Sequence, residues 1–288
     1  MAAPPFSRAA ILGTGLIGGS FALALRQAFP ETHTIGWDRP DVLAIARERG
    51  AIDEAAADIS SAVSNADLVY IALPLGAAME TLPEIAAHAA AGALITDACS
   101  TKTVFCGAAE KIFQDKQARF LGGHPMAGKE VSGIEHADAE LFRGARYALI
   151  GEVEDADARV KRFIVVVRRL GAEAMWCDAE THDRAIGIVS HLPQLAAVAL
   201  AGVVLDETDE SGMPVSLAGR GLRDALRLAG SPYGVWRDIC LTNTENISRA
   251  LDRLSQALDH LRSCLNSREL EEEFSRANEL YKILHQLK

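Results

Sequence analysis

Positive charge is scarce in this sequence. Lys and Arg number 29 against 39 Asp and Glu, a formal net charge of −10 at pH 7. Nucleic acid and anionic membranes demand a basic footprint, so neither is expected as a general partner. A small anionic substrate stays open, provided that basic side chains cluster locally. Lysine is missing altogether from residues 178–281. Cysteine is sparse and unpatterned: Cys99, Cys106, Cys177, Cys240 and Cys264 are odd in number, widely spaced and without a C-x-x-C. Free thiols in a reducing compartment are therefore expected, and a zinc site is not. Residues 9–25 lack charge, but four glycines interrupt them and the run is too short for a membrane span. Internal repeats and low-complexity segments are absent. A soluble cytoplasmic protein is the expectation.

What is present is 288 residues, 49% apolar and 24% charged, enough for one large or two ordinary domains. A core of that size needs neither metal nor disulfide. Short β-type runs alternate with helical runs up to about residue 177. Beyond it, strand signals vanish. The chain is divided accordingly into an α/β domain over 1–175 and a helical domain over 176–288.

The first half opens with a dinucleotide fingerprint. A buried strand over 9–12 runs into Gly13-Thr14-Gly15-Leu16-Ile17-Gly18, a G-x-G-x-x-G, and then into a helical run over 20–29. A second strand over 34–37 ends at Asp38, twenty residues after Gly18. Gly13 permits the tight turn, Gly15 lets the backbone approach a pyrophosphate, and Gly18 lets helix and strand pack closely. The helix N-terminus at Leu16 and Ile17 offers free N–H groups to phosphates. Asp38 can accept hydrogen bonds from the adenosine ribose and repels a 2′-phosphate, which favours NAD. The neighbouring Arg39 leaves NADP open as an alternative.

Alternation continues with strands over 68–73, 93–96, 118–121, 146–150 and 172–177. This predicts an α/β fold with a doubly wound, mainly parallel Rossmann-type sheet. Its strand ends gather Gly13, Leu73, Pro74, Ser100 and His124 on the edge where such sheets bind ligands. Leu73 and Pro74 are expected beside the cofactor. Ser100 reads either as the N-cap of a helix starting near Thr101 or as a hydroxyl facing the reactive end of a cofactor. Residues 122–130, Gly-Gly-His-Pro-Met-Ala-Gly-Lys-Glu, hold a histidine, a cation and a carboxylate among three glycines and a proline. They predict a loop, either an idle surface turn or a site of chemistry.

In the second half a helix is expected over 179–206, kinked or broken at Pro193. His191 within it is either a packed histidine or the wall of a pocket. Arg220, Arg223 and Arg227 share a helix face, solvated or turned toward an anion. Apolar residues recur at Ile247, Leu251, Leu254, Leu258, Leu261 and Leu265, and again at Leu270, Phe274, Ala277, Tyr281 and Leu284. This is a helical hairpin with coiled-coil-like seams, its second helix capped by Ser267. The seams serve an internal core or, as favoured here, helix exchange in a homodimer.

Taken together, the turn at Gly13, Asp97-x-x-Ser100-x-Lys102, the Gly-Gly-His-Pro-Met-Ala-Gly stretch, Ser190-His191-Leu192-Pro193, Gly221-Leu222-Arg223-Asp224 and Trp236-Arg237-Asp238-Ile239 resemble the prephenate/arogenate dehydrogenase family of tyrosine biosynthesis. The likeness runs in order from about Arg8 to the last helix. It implies a Rossmann-type domain followed by an all-helical dimerisation domain, with the active site between them. The implied reaction is NAD-dependent oxidative decarboxylation of prephenate to 4-hydroxyphenylpyruvate, with arogenate as the alternative substrate. By the same resemblance, His124 is the catalytic base and Ser100 bonds the reacting hydroxyl. His191 and Arg223 bind substrate, Arg223 as the carboxylate partner, and Glu130 gates or organises the pocket. A neutral imidazole, with an ordinary pKa of about 6.5, suits removal of the hydroxyl proton.

Three positions depart from the family pattern. Lys129 stands where a small or hydroxyl residue is expected, and Arg146 stands where proline is usual. Gln194 stands where prephenate-preferring members often carry histidine, which leaves prephenate against arogenate open. No regulatory domain is expected after the hairpin, so tyrosine feedback would act at the active site. A non-catalytic NAD-binding dimer is the alternative of another class. β-Hydroxyacid dehydrogenases share the plan but use a lysine in the helical domain, which residues 178–281 lack.

Overall fold

The computed structural model describes residues 3–286. The first half begins with β1 (Arg8–Leu12), α1 (Leu16–Ala28), β2 (His33–Trp37), α2 (Pro40–Glu48), β3 (Glu54–Ala55) and α3 (Ile59–Val63). It continues with β4 (Leu68–Ile71), α4 (Leu75–His88), β5 (Leu94–Asp97), α5 (Thr103–Phe113) and β6 (Arg119–Leu121). These strands form one parallel sheet in the order β3-β2-β1-β4-β5-β6. That is the doubly wound Rossmann arrangement, with its crossover crevice between β1 and β4. The residues of β4 and β5 are all buried, because helices cover both faces of the sheet. One face packs on α1, where Phe21 stacks on Tyr70 with ring centroids 3.8 Å apart. The other packs on α4 and α5 through residues such as Leu82, Ile85 and Phe105.

A second, three-stranded sheet follows. It comprises β7 (Gly123–Pro125), β8 (Arg146–Ile150) and β9 (Glu173–Cys177), with α6 (Ala158–Arg169) between the last two. β7 runs antiparallel to β8, with His124 opposite Ala148, while β8 and β9 are parallel. The expectation of a loop around His124 is thereby corrected: the histidine sits on a short strand. The two glycines explain the turn of events. A side chain at Gly122 would meet Cys106 Sγ, and one at Gly123 would meet the Asp97 carbonyl oxygen at 2.8 Å. Only a bare backbone can leave β6 and enter the second sheet at this point.

The second half is helical. α7 (Ala179–Ile186) continues through a π-helical turn (Gly187–His191) into α8 (Leu192–Asp206). Then come α9 (Arg220–Ala225), a 3-10 turn (Arg227–Gly230), α10 (Tyr233–Thr242), α11 (Thr244–Cys264) and α12 (Glu269–Gln286). Instead of a break, Pro193 is accommodated by the π turn before it. A proline has no N–H for the i−4 carbonyl, and a five-residue turn absorbs the mismatch. Ser267 does not cap α12 as expected; its hydroxyl donates back to the Cys264 carbonyl and closes α11. The composite helix Ala179–Asp206 is apolar enough by composition to cross a membrane. It nevertheless buries His182, Asp183, His191 and Gln194, of which His182 and Asp183 meet residues of the first half.

Candidate active site

The glycine turn lies at the C-terminal end of β1. Gly13 has φ +88°, and a side chain there would run into the backbone of Ala72. Gly15 is different: nothing lies within 4 Å of where its Cβ would be. The turn is thus packed behind and open in front. Gly15 is also the N-cap residue of α1 and supplies no side-chain cap. The helix therefore presents free N–H groups to an anion, which fits a pyrophosphate. Asp38 stands beside the turn, accepting from Thr14 N–H (2.7 Å) and Arg39 N–H (2.7 Å). Each carboxylate oxygen keeps lone-pair capacity for ribose hydroxyls. The Arg39 side chain is exposed and leans toward Asp41 at 3.7 Å. Leu73 is half-buried and Pro74 exposed at the start of α4, where the Gly76 N–H is taken by Asp238 of α10 (3.0 Å).

His124 is framed from below by a buried ion pair. Lys102 Nζ pairs with Asp97 and donates to the Gly123 carbonyl (2.7 Å), while the Gly123 N–H donates to Asp97 Oδ1 (3.0 Å). Both polar atoms of the residue before His124 are thus held by one pair. Burial pulls the Lys102 ammonium down, but the Asp97 carboxylate more than reverses this and the group stays charged. His124 Nδ1 lies 3.0 Å from His182 Nε2, and His182 Nδ1 lies 2.8 Å from Asp183 Oδ1. The other His124 nitrogen, Nε2, has no hydrogen-bond partner among the described residues. Burial, then the Lys102 charge, His182 and His191 push the His124 pKa well below the ordinary histidine value. The ring is neutral at pH 7.

Ser100 follows the end of β5, half-buried, with no hydrogen bond from its hydroxyl among the described residues. It does not cap α5, contrary to one of its two expected readings. That helix starts at Thr103, and its N-terminus is capped from the other half of the chain. Asp183 Oδ1 accepts the Lys102 N–H (2.7 Å) and Oδ2 accepts the Thr103 N–H (2.8 Å). Burial raises the Asp183 pKa, but the hydrogen bonds from His182, Thr103 and Lys102 outweigh it and the carboxyl titrates below its usual value.

His191 is buried on the same composite helix. In an uninterrupted α-helix, positions nine apart point to opposite sides at roughly 100° per residue; the π turn removes about 90° of that offset. Asn243 bridges the two ends of this stretch: its amide donates to the Asp183 backbone carbonyl (2.8 Å) and to His191 Nδ1 (3.1 Å). Accepting at Nδ1 leaves the proton of the neutral ring on Nε2. Burial lowers the His191 pKa to about 4, so the ring is a neutral donor at pH 7. Trp236 packs edge-on against it at 5.7 Å.

The remaining expected residues are less enclosed. Arg223 is exposed on α9 and has no ion pair among the described residues. Glu130 pairs with Arg227, which ties the segment after His124 to the 3-10 turn of the helical half. Lys129 contacts the His136 carbonyl and Asp138, both at 3.2 Å, and staples that segment to the first half. Gln194 is buried and donates to the Leu228 carbonyl (2.9 Å). The sequence by itself points to no role for His182, Asp183, Asn243 or the Asp97–Lys102 pair. A His-Asp dipeptide at the start of an otherwise apolar helix was the one visible signal for the first two.

Comparison with known proteins bears on both halves. Residues 21–176 match the nucleotide-binding domain of prephenate dehydrogenase, and residues 178–285 match its dimerization domain. A prephenate dehydrogenase from Lactococcus lactis subsp. cremoris is 35% identical over 252 residues, 87% of this chain and 69% of that protein. A cyclohexadienyl dehydrogenase from Zymomonas mobilis is 31% identical over 270 residues, 92% of this chain and 90% of that protein. The prephenate dehydrogenase structure from A. aeolicus, solved with hydroxyphenyl propionate and NAD+, superposes with a TM-score of 0.86 at 29% identity, covering 99% of this chain and 98% of the other.

Proposed function

Because the chain belongs to the prephenate dehydrogenase family, we propose that it converts prephenate to 4-hydroxyphenylpyruvate by NAD-dependent oxidative decarboxylation, a step of tyrosine biosynthesis. The observation that carries the chemistry is a neutral, partly accessible His124 whose Nε2, like the hydroxyl of Ser100 at the end of β5, has no hydrogen-bond partner among the described residues.

NAD supplies the hydride acceptor. The open face of the Gly15 turn and the uncapped end of α1 bind its pyrophosphate, with Asp38 for the ribose. As the C–H bond electrons leave the carbinol carbon, the hydroxyl O–H bond breaks and its proton passes to His124 Nε2. Ser100 donates to the same oxygen and fixes its orientation. The bond to the ring carboxylate then breaks, and its electron pair flows through the ring to that oxygen. His124 returns the proton there, which leaves a phenol and CO2 with no net proton uptake. Aromatisation supplies the drive, so the protein's task is positioning. His191 offers Nε2–H to a substrate acceptor. Arg223, with no carboxylate partner among the described residues, takes a substrate carboxylate in its planar fork. Glu130, through Arg227, organises the pocket rim.

The division at residues 175/176 and assembly as a homodimer belong to this reading. Exposed Leu258, Leu265, Phe274 and Tyr281, apolar seam positions of α11 and α12, support the dimer. Five free thiols among the described residues support a reducing, cytoplasmic setting. A second reading, arogenate as substrate, is favoured by Gln194 in place of histidine and by the likeness to a cyclohexadienyl dehydrogenase. Steady-state assays with prephenate and arogenate, each with NAD and NADP, decide between them. Turnover of prephenate with NAD is expected; no turnover of either acid would refute the assignment. Arg223→Ala should raise the substrate KM about tenfold or more with little change in NAD affinity.

A further inference from the structure

Three titratable side chains form a single file from the interior of the helical half to the base. Asp183 is fixed first. Its two oxygens cap α5 through the backbone N–H groups of Lys102 and Thr103, which come from the other half of the chain. Asp183 therefore cannot rotate without uncapping that helix. His182 is almost wholly buried, with Nδ1 at 2.8 Å from Asp183 Oδ1 and Nε2 at 3.0 Å from His124 Nδ1. A carboxylate only accepts, so the proton of a neutral His182 sits on Nδ1 and its Nε2 is a lone pair. His124 must then donate from Nδ1, which leaves its own Nε2 unprotonated. The other titratable groups facing His124 are Lys102 and His191. Lys102 is committed to Asp97 and Gly123, and His191 Nδ1 to Asn243, so neither bonds the His124 ring.

We propose that His182 and Asp183 are positioning residues that set the tautomer of His124, holding its proton on Nδ1 so that Nε2 is the base. The inference rests on His124 being the base of the reaction assigned above. It adds that the base becomes competent only when the helical half is docked, because the partner that dictates its tautomer lies there. When His124 takes the substrate proton on Nε2, the imidazolium donates through Nδ1 to His182, and the Asp183 carboxylate compensates the charge at the end of the file.

The test compares the full-length protein with NAD bound, as wild type, His182→Leu, His182→Gln and Asp183→Asn, labelled with 15N-histidine. Glutamine presents an acceptor oxygen near the position of Nε2; leucine presents none. In wild type, long-range 15N–1H spectra should show His124 protonated on Nδ1. In His182→Leu the resonance should move toward the Nε2–H form, and kcat should fall about 10²–10⁴-fold, as for loss of a correctly oriented base. Substrate KM and NAD affinity should hold within about twofold. His182→Gln should restore both the Nδ1–H tautomer and most of kcat. Asp183→Asn should also lower kcat, since it removes the charge at the end of the file and turns an amide donor toward one of the two α5 N–H groups. The relay is overturned if His124 keeps Nδ1–H in His182→Leu, or if leucine and glutamine impair kcat equally. The tautomer is read without turnover, so an inactive wild type would count against the assigned reaction alone.

Discussion

His124 is suited to the role of base proposed for it because its surroundings disfavour the imidazolium. Burial comes first, and the nearby Lys102 charge adds to it. A lowered pKa means that the neutral, proton-accepting form persists to lower pH. The acid limb of kcat/KM should therefore fall well below pH 6.5, the ordinary histidine value, and a pH profile of the wild type checks this. An acid limb at or above that value would contradict the burial argument. His124→Asn should lower kcat about 10²–10⁴-fold while NAD binding, followed by fluorescence quenching, stays intact. These residues differ in how far they could be read in advance. The glycine-histidine-proline string marks His124 as unusual, and the fingerprint before Asp38 marks the cofactor edge. Nothing local to Asp183 announces a cap for α5, because the helix it serves begins 80 residues earlier.

At the scale of elements, β7 is held by charges rather than by length. Three residues make a weak strand, yet Lys102 and Asp97 grip both polar atoms of Gly123. Lys102→Met would leave Asp97 buried without its counter-ion and should cost about 3–5 kcal/mol in urea denaturation. The double variant with Asp97→Asn should recover much of that loss, and no recovery would show that the pair is not the cause. The π turn before Pro193 has a similar meaning for the site. It turns His191 toward the side of the helix that carries His182, and Gly187 lets α11 approach, with Asn246 Cβ 3.2 Å from where its own Cβ would be. Pro193 signals a disturbed helix; whether the chain answers with a break, a kink or a wide turn depends on what packs beside it.

For the whole molecule, the exposed apolar seams of α11 and α12 are the surface that the proposed dimer would use. Leu258→Glu combined with Phe274→Glu should convert a dimer to monomers in light scattering, because charges in an apolar seam are costly to bury. A mass unchanged by the pair of substitutions would remove α11 and α12 from the interface. The joining of the two halves is polar instead. Asp183 and Asp238 of the helical half reach the N-termini of α5 and α4, and Thr101 meets Thr242 at 2.7 Å. By itself the sequence determined the Rossmann strand–helix alternation, the phosphate-binding turn, the helical second half and the string around His124. Each of these is written in neighbours a few residues apart, through periodicity, glycine and capping chemistry. Tertiary structure alone decided that His124 lies on a strand, that Glu130 answers Arg227, and that Asp183, His182 and His124 line up. His124 and His182 lie 58 positions apart and Glu130 and Arg227 lie 97 apart, and only packing of the two halves brings such pairs within hydrogen-bonding reach.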